Sequence, residues 1–332
     1  ECISEAAHHG ERVLGFAARR CDDGKQQLEF KDVESDLDFL GIMGFIDPPR
    51  EEVLDAIASC RSAGVKVKMI TGDHAATAQA IAKQLYLAEE PGVMTGADLD
   101  KVPDEELSAV LAKTSVFART TPEHKLRIVK ALQQQGEVVA MTGDGVNDAP
   151  SLKQADVGIA MGKKGTEAAK QASEMVLADD NFATIVSAVH AGRTVYDNVR
   201  KVIAWTLPTN GGEALAVVVA LLLGMSLPMT PAQILWINMV LTVTLGLVLA
   251  FEPAEPDVME RPPRPRHAAL LSPFLLWRVG FVSVLFTIGV FIIFEYAMRR
   301  ELGEEVARTM VVNTLVVLEI FYVFNVRYLN AK

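Results

Sequence analysis

MTGDGVNDAPSLKQADVGIAM, residues 141–161, decides the fold. An apolar run, Val138-Val139-Ala140-Met141, ends in Thr142-Gly143-Asp144-Gly145, and a second run, Val157-Gly158-Ile159-Ala160-Met161, follows a short helical stretch. Strand, acidic glycine turn, helix and strand is the pattern of an α/β layer with its site at the carboxyl ends of the strands. Asp144 and Asp148 flank the turn. A carboxylate beside closely approaching backbone suits a hard divalent ion such as Mg²⁺ next to phosphate. A lone Gly-Asp-Gly would serve equally as an ordinary turn. The nine-residue run TGDGVNDAP is far more specific.

The chain has 332 residues, room for two domains. It is 50% hydrophobic with a mean hydropathy of +0.23, high for a soluble enzyme. A net charge of -10 argues against a nucleic-acid partner. Cys2, Cys21 and Cys60 show neither CxxC pairing nor metal-ligand spacing, and fit reduced thiols of a cytoplasmic portion. These averages hide a split: sequence before about residue 202 is mixed and charged, and long apolar runs dominate after it. The first residue is Glu1, with neither Met nor signal peptide, so the chain is expected to be a fragment of a longer one.

Residues 12–17 and 37–42 carry strand-type apolar spacing around an acidic loop. Asp47-Pro48-Pro49-Arg50 is a stiff strap, because proline fixes φ and disfavours helix before it. A regular α/β pattern follows: helix 51–63, strand 65–70, Thr71-Gly72-Asp73-His74, helix 75–86, helix 104–113 and strand 116–119. A hydroxyl and free amides between a strand end and a helix N-terminus make a phosphate cradle, although Asp73 could simply cap the helix. Thr121-Pro122-Glu123-His124-Lys125 opens another helix, with proline near its start. An ammonium such as that of Lys125 would neutralise charge on a phosphoryl group. Strand 138–142 then delivers the opening motif, residues 162–178 complete the sheet, and Asp179 and Asp180 are expected to cap the next helix.

That helix, residues 182–201, ends in Arg193, Arg200 and Lys201, cations that mark a cytoplasmic side. Four apolar segments follow, at about 202–227, 234–251, 274–294 and 310–326. Each is near the ~20 residues that a spanning helix needs. Pro228 and Pro231 mark a tight link, and residues 261–266 form a basic, proline-rich loop. Polar groups inside such spans are functional candidates. The first span has Pro208-Thr209-Asn210-Gly211-Gly212-Glu213, with Asn210 and Glu213 three apart and expected on one face. The second has Asn238, Thr242 and Thr244; the fourth has Asn313 and Glu319. Oxygen ligands from facing helices suit a hard cation. Thr244 and Asn313 are expected to bond between helices instead, and Glu295, near a span end, to face water.

TGDGVNDAP resembles the hinge motif of P-type cation-transporting ATPases, members of the haloacid-dehalogenase-like phosphotransferases. The resemblance extends to DPPR at 47–50, TGD at 71–73, PxxK ending at Lys125, and the GTEAAKQASEMVLADDNF block. It implies an α/β haloacid-dehalogenase-like, Rossmannoid phosphorylation domain followed by an all-α transmembrane region. Residues 1–46 would end a nucleotide-binding domain, 47–181 form the phosphorylation domain, 182–201 a stalk helix, and 202–327 four transmembrane helices. ATP is the implied substrate and Mg²⁺ the cofactor. Thr71, Gly72 and Lys125 would hold the phosphoryl group, Asp144 would hold Mg²⁺, and Asn147 and Asp148 would belong to the surrounding network. Arg12, which matches the family's R-x-L-x-x-A strand, would contact ATP phosphate, with Asp73 and Arg119 beside the nucleotide. The phosphorylated aspartate of the family sits in a DKTGT motif that does not occur in these residues.

The likeness is greatest to the calcium-pump branch. Its cation-site residues match Asn210, Glu213, Asn238 and Glu319, and its loop after the second span matches FEPAEPDVMERPPR. That branch has N-x-x-T-D in the second span, whereas this chain has Asn238-Met239-Val240-Leu241-Thr242. Thr242 thus replaces a carboxylate, which leaves a monovalent ion or another stoichiometry open beside Ca²⁺. The branch has six spans after the phosphorylation domain, so two are expected beyond Lys332. The implied partners are the transported cation, the lipid bilayer and the missing N-terminal part of the polypeptide. The implied setting is a multi-pass plasma-membrane protein with its α/β domain in the cytoplasm. A soluble haloacid-dehalogenase-like phosphatase and a non-enzymatic membrane protein are the alternatives.

Overall fold

Alternating apolar residues build an antiparallel pair first. β1 (Arg12–Ala18) and β2 (Asp38–Phe45) place Arg12 opposite Phe45 and Ala18 opposite Asp38, with an irregularity at Phe16/Ala17. The structure, a computed structural model, describes residues 11–20, 27, 29–30, 34–45 and 48–328. Asp47 of the DPPR strap and the side chain of Arg12 lie outside what it describes. The chain divides into two units, one of Glu1–Ser187 with Met259–Arg266 and one of Ala188–Val258 with His267–Lys332.

In the first unit, apolar strands alternate with amphipathic helices. α1 (Glu51–Ser62) precedes β3 (Met69–Thr71), α2 (Ala75–Gln84), β4 (Gly92–Thr95), α3 (Gly96–Leu99), α4 (Asp104–Lys113), β5 (Thr114–Ala118) and α5 (Pro122–Gln134). Then come β6 (Ala140–Gly143), α6 (Ala149–Gln154), β7 (Val157–Met161), α7 (Glu167–Ala172) and β8 (Met175–Leu177). The strands form two parallel three-stranded sheets, in the orders β3-β5-β4 and β6-β7-β8. Middle strands are covered on both faces, which is why their sequences are continuous apolar runs. Leu107, Leu111, Phe117 and Ile128 pack around β5, while Val129, Met141, Leu152 and Ala160 pack around β6 and β7. Ile70 of β3 touches both clusters.

β3 is shorter than the expected 65–70. Met69 pairs with Val116, so residues before Val67 would need partners that α4 already occupies. Lys68 instead donates from Nζ to the carbonyls of Leu111 and Thr114, 2.7 Å each, closing the end of α4. Asp180 also departs from expectation. It adopts a left-handed φ of 56° and does not cap the following helix. Its carboxylate accepts the amides of Gly162, Lys163 and Lys164 at 2.7, 3.0 and 2.9 Å, closing the loop after β7. Asp179 and Asn181 serve the helix start, accepting the Thr184 hydroxyl at 2.5 Å and the Ala183 amide at 3.0 Å respectively.

The second unit is helical. α8 (Phe182–Leu222) merges the expected stalk and first span into one helix, and ends before Gly224, which stands at φ +64°. α9 (Pro231–Leu241) runs through a π-helical turn (Thr242–Gly246) into α10 (Leu247–Ala250). α11 (Pro273–Arg299) and α12 (Glu304–Val326) complete the set. Four helices are long and apolar enough to cross a membrane: Phe182–Leu222, Pro231–Ala250, Pro273–Arg299 and Glu304–Val326. Pro231, expected in the link, is the first helical residue of α9, behind a capping box of Thr230 and Gln233.

Pro208 lies inside α8 and cannot donate to the carbonyl of Ala204, four residues back. An unpartnered carbonyl in apolar surroundings is costly. The Tyr322 hydroxyl donates to it at 3.0 Å. A Cβ on Gly211 would lie 2.4 Å from Ser283 Oγ, and one on Gly212 would lie 2.7 Å from Phe286 Cβ. The two glycines therefore let α8 and α11 approach closely. Ser283 and Thr287 of α11 donate to the Pro208 and Gly212 carbonyls at 3.0 and 3.2 Å.

Two outcomes are expected. Tyr322→Phe should cost roughly 1 kcal/mol in a detergent-solubilised thermal or chemical unfolding series; an unchanged midpoint would show that the Ala204 carbonyl needs no partner. The amide of Lys163, with those of Lys164 and Gly162, holds the Asp180 carboxyl below the usual carboxylate range. That stability is present above the unfolded value of about 3.9 and is lost as pH falls through the lower folded value. Asp180→Asn should therefore lower the melting midpoint at pH 7, and the gap to wild type should close on acidification below about pH 4.

Candidate functional sites in the two units

Asp148 organises the site of the first unit. It is buried, ends the short 3₁₀ turn Val146–Asp148, and precedes α6. Its Oδ1 accepts the Lys125 ammonium at 2.6 Å. Its Oδ2 accepts the amides of Asp144 and Gly145 at 3.2 and 3.1 Å. All three are charge-assisted, and the short bond from Lys125 is of the strong class. They fix Lys125, on the first turn of α5, against the loop at the carboxyl end of β6. Asp144 is exposed at the tip of that loop, and its carbonyl accepts the Thr166 amide at 2.8 Å. Asn147 is also exposed.

The second turn closes on itself. Thr71 Oγ1 donates to Asp73 Oδ2 and accepts the Asp73 amide, both at 3.1 Å. Asp73 does not cap α2; the side chain of His74 does. Gly72 and Asp73 are exposed, and the Thr71 carbonyl accepts the Thr120 amide at 3.5 Å. Arg119 is exposed at the end of β5 with φ 50°, a left-handed conformation uncommon for its type.

Among the described residues no group of three or more His, Cys, Asp or Glu side chains is placed to hold a metal. Both oxygens of Asp148 are engaged, so Asp144 is the open carboxylate. One carboxylate with phosphate and water still fits Mg²⁺, which keeps several waters and rarely takes an all-protein cage. His124 went unnoticed in the sequence. Its Nδ1 accepts the Thr121 amide at 3.1 Å, its Nε2 donates to Asp100 at 2.8 Å, and the buried ring fixes the turn that carries Lys125. The Thr-x-x-His spacing, a capping box with His in place of Glu, was the available signal.

The second unit holds two deeply buried carboxylates, Glu213 on α8 and Glu319 on α12, each 2% exposed. Glu213 Oε2 accepts Asn238 Nδ2 at 2.8 Å, and Oε1 is buried without a hydrogen-bond partner. The Glu319 carbonyl accepts the Trp205 indole at 3.4 Å, which ties α12 to α8. Asn210 and Thr242 do not join this group; both are exposed. The buried stripe of α8 runs through Thr209, Glu213 and Ala216, and Asn210 falls just off it. Thr242 opens the π turn, and its amide still bonds back to the carbonyls of Asn238 and Met239. Among the described residues, neither Thr244 nor Asn313 makes a bond between helices. The Thr244 hydroxyl turns back to the Val240 carbonyl of its own segment at 2.8 Å, and Asn313 is exposed. Glu295 pairs with Arg299 at 2.9 Å and is partly exposed, as its place near a span end implied.

Comparison with known proteins covers both units. Residues 226–332 match the family model described as cation transporting ATPase, C-terminus. Residues 4–156 and 125–189 match two models described as haloacid dehalogenase-like hydrolase. The chain is similar to cation-transporting ATPase pma1 of Synechocystis, 45% identical over 99% of this chain and 37% of that protein. It is 49% identical to the probable cation-transporting ATPase F of Mycobacterium tuberculosis, over 96% of this chain and 35% of that protein. A calcium-transporting ATPase of Bacillus subtilis is 48% identical over 95% of this chain and 36% of the relative. The chain thus spans little more than a third of the length of the relatives it matches. An α/β unit of haloacid-dehalogenase-like type and four membrane-length helices are thus matched together, over nearly the whole of this chain, by cation-transporting ATPases.

Proposed function

We propose that this chain is the phosphoryl-handling and ion-binding part of a pump that drives a cation across a membrane with ATP, through an aspartyl-phosphate intermediate. The observation that carries this is Glu213: a carboxylate buried in a membrane-length helix, one oxygen held by Asn238 and the other without a partner. Such a group is costly in apolar surroundings unless a cation or proton completes it. With Glu319 it offers the hard oxygen donors that Ca²⁺ prefers. Relatives are named as calcium-transporting, and Ca²⁺ is the leading ion. Thr242 supplies a hydroxyl where a further carboxylate would favour a second divalent ion, which supports one divalent ion per cycle over two. A monovalent ion is the second reading. Glu213, Asn238 and Glu319 form the core of the ion site, with Asn210 and Thr242 at its margin.

In the first unit the reading assigns Lys125, Thr71 and Gly72 to the phosphoryl group, and Asp73, Arg119 and Arg12 to the nucleotide. Asp148 and Asn147 shape the loop that presents Asp144. Asp144 would hold Mg²⁺, which supplies charge neutralisation on the transferring phosphoryl oxygens. β3 and β6 each pair on one side only among the described strands. A further parallel strand bearing the phosphorylated aspartate would fit beside them and face both turns. The proposed domains are residues 1–46 for the end of the nucleotide domain, 47–181 for the phosphorylation domain, 182–201 for the stalk and 202–327 for the membrane region. The α/β unit would face the cytoplasm, at the plasma membrane. Four membrane-length helices disfavour a soluble phosphatase.

In the full-length protein, Asp144→Ala should abolish Mg²⁺-dependent phosphoenzyme; normal phosphoenzyme would sink the assignment. ATPase activity titrated with Ca²⁺, Mn²⁺, Na⁺ and K⁺ should be activated by Ca²⁺, and Glu213→Gln should raise the half-activating concentration at least tenfold. Activation by Na⁺ or K⁺ alone would replace the leading ion.

A further inference from the structure

Lys201 of α8 and Glu255, in the segment that follows α10, form an ion pair at 3.2 Å with both side chains 1% exposed. A fully buried pair is a poor source of stability, because desolvation offsets most of its attraction. Such pairs are better at specifying one arrangement over others. This pair lies within a set of polar contacts that clip residues 250–258 to one side of α8. Asn198 Nδ2 donates to the carbonyls of Ala250 and Glu252 at 3.2 and 2.7 Å. Arg193 donates to the Val258 carbonyl at 2.9 Å. Arg327, just beyond α12, reaches Glu252 at 2.6 Å. The helices that carry Glu213, Asn238 and Glu319 are thus tied together around residues 193–201, midway along α8. Lys201 is the one cation of this set that is fully inside.

We infer that Lys201 and Glu255 are a positioning pair for the ion site. They fix how the second membrane-length helix sits along α8, and so hold the Asn238 amide opposite Glu213. This rests on the ion-site reading above. Neither side chain touches the ion. The asymmetry between the contacts supports this division of labour: Asn198 and Arg193 hold backbone carbonyls, which any sequence would offer, whereas Lys201 selects one side chain. A shift of the α10 end by one residue would move the Glu255 carboxylate away from the Lys201 ammonium and break the buried pair, a costly arrangement.

The test uses the full-length pump in native-like membranes, with Ca²⁺ as the probe. Lys201→Met and Glu255→Gln each break the buried pair by removing one of its charges and can fail to fold, so the informative variant is Lys201→Met/Glu255→Leu, which removes both charges and keeps apolar volume. It should keep a thermal midpoint near wild type and a maximal ATPase rate within about threefold, while half-activating Ca²⁺ rises about tenfold. Lys201→Arg/Glu255→Asp, which keeps a pair, should restore the Ca²⁺ requirement to within about threefold. A double apolar variant with wild-type half-activation would overturn the inference, as would one in which stability and rate fall together without a change in Ca²⁺ requirement. Glu213→Gln is the control. If it leaves half-activation unchanged, the ion-site reading fails and the positioning role with it; if it raises half-activation but the double variant does not, only the positioning role fails.

Discussion

The Asp148 carboxylate is the contact on which the loop cluster at the carboxyl end of β6 depends. One side chain accepts an ammonium from α5 and two amides from the loop after β6. Each bond is charge-assisted, and Asp148 is buried, so solvent does not compete for it. The consequence is that Lys125 of α5 and the loop that bears Asp144 come from different helix–strand units and are yet held together through one side chain. Deleting that carboxylate would leave a half-buried lysine and two loop amides without partners, which costs more than the bonds themselves contribute.

A parallel constraint governs the helical unit, with the opposite sign. Here the backbone cannot turn to water, so each irregularity in α8 needs a partner from another helix. Pro208 frees the Ala204 carbonyl, and Tyr322 takes it; Ser283 and Thr287 take the Pro208 and Gly212 carbonyls. Gly211 and Gly212 bring the backbones close enough for those bonds. The loosened stretch therefore sits immediately before Glu213, and α11 and α12 hold its shape.

Much of this was legible in the order of residues. TGDGVNDAP, TGD and PxxK each contain turn and cap chemistry whose local geometry is nearly fixed by residue type: glycine in the turn, proline in the first helical turn, threonine at the cap. The end of α4 at Lys113, the end of β7 at Met161 and the proline in the first turn of α5 were expected from the sequence. Asp180 shows the limit. Acid before a helix is a good rule for a cap, but a φ of 56° turned the side chain back to three amides 16 to 18 residues earlier in the chain. No local pattern states that preference.

The sequence by itself determined the α/β unit, the four membrane-length segments and the buried acids Glu213 and Glu319, because hydrophobic period, run length and turn chemistry are local properties of the chain. Only the tertiary structure decided which polar residues meet. It joined Lys125 to Asp148 and Asn238 to Glu213, paired Lys201 with Glu255, and left Asn210 and Thr242 outside the buried group. The physical reason is phase. Whether two helix residues face each other depends on rotations set by Pro208, by the π turn after Leu241 and by packing against other helices. These accumulate over many residues, and residue spacing along one segment does not record them.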